Sequence, residues 1–293
     1  MMLGTRDSFD YAECAQCKAL QRRDLTVDMT RYYPSTYYAF SATARGAAMM
    51  KIRKVRNWLA MSPVSPIRFI AKRVLAPNGA TWLEIPRPTR TTRILDVGCG
   101  TGILLRQLAE AGYRNLTGVD PFLPSVVETP ASVRMIRSTI EDIDGQFDYI
   151  MFHHSLEHIA DQQSTIRAVA RLLADEGWCL IRVPTVSSYA WEHYREHWFQ
   201  VDAPRHLVLH SLDSISQLGA SVGLAVARLD FDSTESQILW SERYRQGIAM
   251  SDAPRTSRAE RRAAKTTARR LNAERRGDQV AVYFRKHLAT PSV

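Results

Sequence analysis

Between Met29 and Leu83 the chain has no acidic residue. That stretch instead carries Arg31, Arg45, Lys51, Arg53, Lys54, Arg56, Arg68, Lys72 and Arg73. An excess of one sign favours anionic partners such as phosphates, nucleotide-sugars, acidic lipid surfaces or nucleic acid, unless it forms a plain solvated surface. Cysteine is also scarce. Cys14, Cys17, Cys99 and Cys179 are too few and too scattered for a disulfide framework. No run approaches the roughly 18 apolar residues that a bilayer-spanning helix needs. The first residues, Met1 to Asp7, lack the apolar core of a secretory signal, so a cytoplasmic location is expected. No internal repeat is evident.

What is present is an ordinary globular composition, 45% hydrophobic and 24% charged, with a net charge of +9. At 293 residues, one large domain with additions fits better than two equal ones. Residues 1–43 read as irregular, with a tyrosine-rich patch from Arg31 to Tyr38. Residues 44–90 read as a basic helical extension broken by Pro63 and Pro66, then a linker marked by Pro77, Pro86 and Pro88. Within it Ile52, Val55, Trp58 and Leu59 share an apolar arc beside basic residues. Such an arc suits either packing on the main domain or weak attachment to the inner membrane face.

From Arg93 onward strands and helices alternate, which predicts an α/β fold with a parallel sheet. Strands are expected at 93–97, 114–120, 133–138, 147–153, 178–183, 225–231 and 279–285, and helices at about 102–111, 161–174 and 211–222. Ile166, Val169, Ala170 and Leu173 form the apolar face of the second helix, and Gly177 suits a turn after its end. A helical insertion at about 233–277, with a second basic block from Arg255 to Arg276, separates the last two strands.

The chemistry begins at Arg93-Ile94-Leu95-Asp96-Val97-Gly98-Cys99-Gly100-Thr101-Gly102. A short strand ends on an acid and breaks into glycines at alternate positions, and an apolar-periodic helix follows. Glycines at 98, 100 and 102 permit positive φ and close backbone approach. The helix N-terminus adds unpaired N–H groups. A dinucleotide fingerprint needs a glycine at 103, where this chain has Ile103. The next strand ends on Asp120, whose carboxylate suits the ribose hydroxyls of an adenosine or, more plainly, a helix cap. Ser138-Thr139-Ile140-Glu141-Asp142 follows the third strand, placed to flank an adenine.

These runs, with Phe147 to Ile159 and its Leu156-Glu157-His158, resemble class I S-adenosylmethionine-dependent methyltransferases over about 91–288. The resemblance is greatest to the small-molecule branch with a Leu-Glu-His motif after strand four. It implies a Rossmann-like seven-stranded sheet with helices on both faces and the last strand antiparallel. By the same resemblance S-adenosylmethionine is the cofactor. Asp96, Gly98, Cys99, Gly100 and Gly102 would hold its methionine and ribose portion, Asp120 the ribose, Ile140 and Glu141 the adenine, and His153 the methionine end. The implied acceptor is a small molecule or a sugar- or lipid-linked one, quinone-like acceptors included.

Methyl transfer needs a base only if the acceptor must lose a proton, and histidines are the candidates. His153 and His154 close strand four. His206 lies in the long aromatic and ionisable segment from Trp191 to Leu207, where the resembled branch has an acceptor pocket or lid. It is the preferred base or acceptor-binding group, or else a packing residue anchored by Asp202 or Arg205. Cys14-Ala15-Gln16-Cys17 resembles half of a zinc-ribbon module, but tetrahedral zinc needs four ligands and a second pair is absent, so no metal is expected. Nucleic-acid methylation is disfavoured because strand four ends in His153-His154-Ser155-Leu156, without an Asn/Asp-proline-proline-aromatic turn. A catalytically silent cofactor-binding or scaffold protein is the other alternative.

Overall fold

The computed structural model describes residues 5–33, 55, 58–59, 87–123 and 129–286. The basic helical extension and its linker lie outside these residues, apart from Val55, Trp58 and Leu59, which are helical, and 87–90.

Two apolar faces on each strand build the centre of the molecule. The hairpin strands β1 (Tyr11–Glu13) and β2 (Leu20–Arg22) come first in the chain, and the central strand is β3 (Arg93–Val97). In β3, Leu95 and Val97 enter one core cluster while Ile94 enters the other, as the pleat of a strand buried on both faces requires. Parallel to it lie β4 (Asn115–Val119) on one side and β6 (Phe147–His153) on the other. Beyond these come β5 (Val133–Ile136) and β7 (Leu173–Pro184), also parallel. After the short β8 (Val208–Leu209), β9 (Leu224–Phe231) takes the edge, and β10 (Gln279–Lys286) runs antiparallel between β7 and β9. The order is β5-β4-β3-β6-β7-β10-β9, seven strands in all. The winding reverses between β3 and β6, which opens a crevice at their C-terminal ends.

Helices cover both faces. On one, α1 (Ile103–Ala111) buries Leu105, Leu108 and Ala111. On the other, α2 (Gln162–Leu172) buries Ile166, Val169 and Leu172, at about 1.5–3 kcal/mol for each large side chain. Asp161 caps α2 by accepting from Ser164 N. The short α3 (Tyr189–Tyr194) follows β7, and α4 (Leu212–Ala220) joins the α2 face through Ile215 and Leu218. The insertion forms α5 (Ser236–Arg245) and α6 (Arg258–Ala273). A Ser257–Glu260 capping box starts α6, and only Ala264, Ala268 and Leu271 are buried on it.

Two expectations are corrected. The second helix stops at Leu172, and β7 begins at Leu173 instead of 178. Leu173 pairs with Phe147 and is fully buried in the sheet core, so strand pairing outcompetes another helical turn. Gly177 therefore lies inside β7, where the Leu173 side chain fills the place of a Cβ. The segment expected to be irregular contains the β1–β2 hairpin, and β2 pairs with β8 to form a second, three-stranded sheet. Leu20 and Leu209 from this sheet join Val186, Ala190, Tyr194 and Trp198 in a separate apolar cluster.

Candidate active site

The turn after β3 is set by backbone conformation. Gly98, Gly100 and Gly102 have φ of 73°, 51° and 71°, in the left-handed region that favours glycine. Gly98 N and Cys99 N both donate to Val119 O, at 2.8 and 3.3 Å, which folds the turn over the end of β4. A Cβ on Gly98 would overlap that of Ser155, the residue just beyond β6. Ser155 Oγ in turn donates to Val97 O at 2.6 Å, tying the two strand ends together. Gly102 is the N-cap of α1 and supplies no capping side chain.

Two carboxylates flank the turn. Asp120 Oδ2 accepts from Gly100 N at 3.0 Å, and its Oδ1 accepts from Phe122 N at 2.8 Å. A carboxylate has about four lone-pair sites, so hydrogen-bonding capacity remains for two ribose hydroxyls. Asp96 is buried beneath the turn, and burial together with the charge of Asp120 pushes its carboxyl up to about 7. An ammonium or sulfonium group is the partner such a site calls for. These residues fit a cofactor in which an amino-acid chain is joined through sulfur to an adenosine. Cys99 packs its thiol against Gly118, and burial raises it above the usual thiol range, which makes it a packing residue of the turn.

The adenine-side residues divide. Ile140 is buried in the core at the start of a single 3-10 turn, Ile140–Asp142. Glu141 points toward α2, accepting from Thr165 Oγ1 at 2.8 Å.

The strand-end histidines also differ. His153 is partly buried, and desolvation, with Arg182 and His154 nearby, holds it well below its ordinary value. His154 has φ of 55°, and its Nε2 lies 2.8 Å from Arg182 Nη1. Its Nδ1 lies 3.4 Å from Glu157 Oε1. Leu156–His158 form one 3-10 turn, and Leu207 N donates to Glu157 O at 2.8 Å. That bond carries His206 to the turn. The His158 and His206 rings meet edge to face with centroids 4.8 Å apart. His206 Nδ1 lies 2.7 Å from Gln200 O, while Nε2 faces Asp202 Oδ2 at 3.8 Å and Glu157 Oε1 at 4.0 Å. Burial lowers His206 to about 4 against the pull of Glu157. For Glu157, burial alone would raise the carboxyl, but the nearby His154 N–H and the charges of His158, His154 and His206 outweigh it and hold it at about 2.

Sequence reasoning singled out His206 but missed what holds it. The amino-terminal hairpin does so. Tyr11 Oη donates to His206 O at 2.7 Å, the Arg22 guanidinium donates to Pro204 O, and Arg22 N donates to Leu207 O at 2.9 Å. Ser211 Oγ donates to Cys17 O. Only the two-stranded pattern of Tyr11–Arg22 could have signalled this, and three-residue strands are too short to show a period. Cys14 is exposed, and its Sγ accepts from Cys17 N at 3.5 Å. Among the described residues, the only group of three or more metal-ligating side chains within reach of one another lies elsewhere, at Glu157, His158 and His206.

The reversal crevice, the positive-φ glycine turn and the paired Asp96 and Asp120 define a Rossmann-like S-adenosylmethionine-dependent methyltransferase fold. Family comparison agrees: the model described as "Methyltransferase domain" matches residues 67–229. The chain belongs to that methyltransferase family, and S-adenosylmethionine is its cofactor. The ubiquinone biosynthesis O-methyltransferase of Bordetella avium (strain 197N) is 33% identical over 114 residues, 35% of this chain and 47% of that protein. Its counterpart in Escherichia fergusonii is 36% identical over 96 residues, 29% of this chain and 40% of that protein. The chain thus spans about half the length of the curated relatives it matches. Among solved structures, Burkholderia thailandensis 1,6-didemethyltoxoflavin-N1-methyltransferase is 14% identical, covering 96% of this chain and 99% of its own, with a TM-score of 0.44. A methyltransferase from Archaeoglobus fulgidus is 18% identical, covering 71% and 92%, with a TM-score of 0.48.

Proposed function

We propose that the protein transfers the methyl group of S-adenosylmethionine to a hydroxyl oxygen of a small acceptor, with a quinone-like phenol as the acceptor class. The observation that carries the transfer reading is the cradle itself: Asp120 locked to Gly100 N beside the buried Asp96. The phenol assignment leans on the relatives named ubiquinone biosynthesis O-methyltransferase, of which just under half the length aligns. Sugar- or lipid-linked hydroxyls share the same chemistry.

The residue roles follow from position. Asp96 and the Gly98–Gly102 turn take the methionine portion, with His153 at its methyl end. Asp120 takes the ribose hydroxyls, and Ile140 supplies an apolar edge for the adenine. Glu141 is engaged with Thr165 and orients that turn. His154 and His206 bound the acceptor side. In the transfer the acceptor oxygen forms a bond to the methyl carbon as the carbon–sulfur bond breaks. The bonding pair goes to sulfur, and the hydroxyl proton leaves to solvent or a basic group. The protein contributes alignment and a water-poor cavity, and the cofactor supplies the reactive methyl.

Calorimetry with S-adenosylhomocysteine, the cofactor's demethylated homologue and called the homologue below, tests the cofactor half. Wild type is expected to bind, and Asp120→Ala to bind at least tenfold more weakly through lost hydrogen bonds to a charged group. No binding by wild type would sink the reading. Methyl-labelled cofactor with a panel of phenols, glycosides and lipid extracts tests the acceptor half. Label found only outside the phenols would overturn the phenol assignment.

A further inference from the structure

Glu157 is an anomaly at the edge of the crevice. It is 1% exposed, and neither carboxylate oxygen meets a hydrogen bond of acceptable geometry. The nearest imidazole nitrogen, His154 Nδ1, is 3.4 Å from Oε1. A buried carboxylate with no hydrogen bonds is costly unless a cation offsets it.

The two histidines beside it are oriented alike. His158 Nδ1 lies 2.9 Å from Arg205 O, and His206 Nδ1 lies 2.7 Å from Gln200 O. A carbonyl oxygen only accepts, so Nδ1 carries the proton in both rings and each Nε2 keeps a lone pair. That is how metal-ligating histidines are held, one ring nitrogen donating to a backbone carbonyl and the other left for the ion. One donor atom from each of Glu157, His158 and His206 lies within 4.8 Å of the other two. Ligand bonds of about 2.1 Å set tetrahedral donors about 3.4 Å apart, so the side chains need close by little more than an ångström.

We propose that Glu157, His158 and His206 bind one divalent transition-metal ion. Two imidazoles and one carboxylate favour a borderline ion such as Zn²⁺, Fe²⁺, Co²⁺ or Mn²⁺ over Mg²⁺ or Ca²⁺, which prefer oxygen donors. Asp202, whose Oδ2 is 3.8 Å from His206 Nε2, borders the site and leaves the fourth tetrahedral position open. His154, fixed by Arg182, supports Glu157 from behind. The binding site stands on this geometry alone. Its use rests on the methyltransferase reading: an open position on the ion would hold the acceptor oxygen and make its proton easier to lose.

The test is Co²⁺ titration of chelator-stripped full-length protein, followed by visible d–d absorption, in a Cys14→Ser/Cys17→Ser background that removes the thiols as competitors. The expected result is one Co²⁺ per chain, with affinity falling at least 100-fold in Glu157→Gln and in His206→Gln. Glu157→Gln keeps the size of the side chain and removes its charge, and thermal unfolding without metal checks that it folds. A Zn²⁺-induced rise in Tm should occur in the parent and vanish in this variant. No Co²⁺ binding in the Cys14→Ser/Cys17→Ser background, or binding that both substitutions leave unchanged, would overturn the site. S-adenosylhomocysteine calorimetry on the same samples separates the two readings. Homologue binding without Co²⁺ binding removes the metal alone, whereas Co²⁺ binding without homologue binding keeps the metal and removes its catalytic use.

Discussion

At the scale of single residues, the cofactor cradle depends on backbone freedom and on one displaced protonation equilibrium. Gly98→Ala places a side chain at φ 73° against Ser155, so it is expected to cost about 1–3 kcal/mol and abolish measurable homologue binding. Urea unfolding and calorimetry would check both halves. Asp96 is held up to about 7 in the free protein, first by burial and then by Asp120. Its folded value is above the unfolded one, so the folded state binds the extra proton and stability is lost as pH rises between about 4 and 7. Asp96→Asn should therefore stabilise the cofactor-free protein at pH 8, by on the order of 2 kcal/mol, while weakening cofactor binding. A bound ammonium group would pull the carboxyl back down. Homologue binding near pH 6 is then expected to release up to one proton, and at pH 8.5 almost none. Calorimetry in buffers of different ionisation enthalpy reads this directly, and a pH-independent proton count would refute it. The glycine turn and the placement of both aspartates beside it were legible in the sequence because they are set locally. The partner of Glu157 was not, because His206 lies 49 residues further on and only a folded loop sets their distance.

At the scale of elements, the segment from Trp198 to Leu207, which we propose bounds the acceptor, is held from three sides. The hairpin of β1 and β2 pins it at Pro204, His206 and Leu207. Helix α5 reaches it through Ser241 Oγ, which accepts from Phe199 N at 3.1 Å. Trp198 Nε1 donates to Asp278 Oδ2 at 2.9 Å, just before β10. Tyr11→Phe removes one bond to the segment and should cost about 1 kcal/mol. The glycine turn belongs to the other sheet, so homologue affinity in Tyr11→Phe should stay within about twofold of wild type, while turnover of an identified acceptor falls. An affinity loss as large as that of Asp120→Ala would show that the hairpin does not act on the acceptor side alone. Trp198→Phe leaves Asp278 without its N–H donor, at about 1–3 kcal/mol. Burial already pushes the Asp278 carboxyl up to about 6, so the loss should be greater at pH 8, where it is ionised, than at pH 5. Denaturation at the two pH values distinguishes this from simple loss of packing. Strands β3, β4 and β6 and helix α1 were readable from apolar periodicity. The start of β7 was not, since Leu173 continues the apolar pattern of α2 and only its pairing with Phe147 assigns it to the sheet.

At the scale of the whole molecule, cofactor binding and folding are linked. At a homologue concentration 100 times its Kd, the native state should gain about 2.7 kcal/mol, seen as a Tm rise of several degrees that Asp120→Ala loses. The charge of +9 is spread unevenly, and the α6 block shows why charge alone does not name a partner. There only Ala264, Ala268 and Leu271 are buried, and the arginines lie on the solvent side. By itself the sequence determined the class of cofactor, because a glycine turn after an acid-ending strand acts through neighbouring backbone and needs no distant partner. It also determined the central sheet, because strands buried on both faces must be apolar along their length. The tertiary structure decided what surrounds His206. It brought Glu157 and His158 to His206, and it placed an amino-terminal hairpin against a loop almost two hundred residues away. Those contacts join short, weakly patterned segments, and their geometry exists only once the sheet has set where β6 and β8 end.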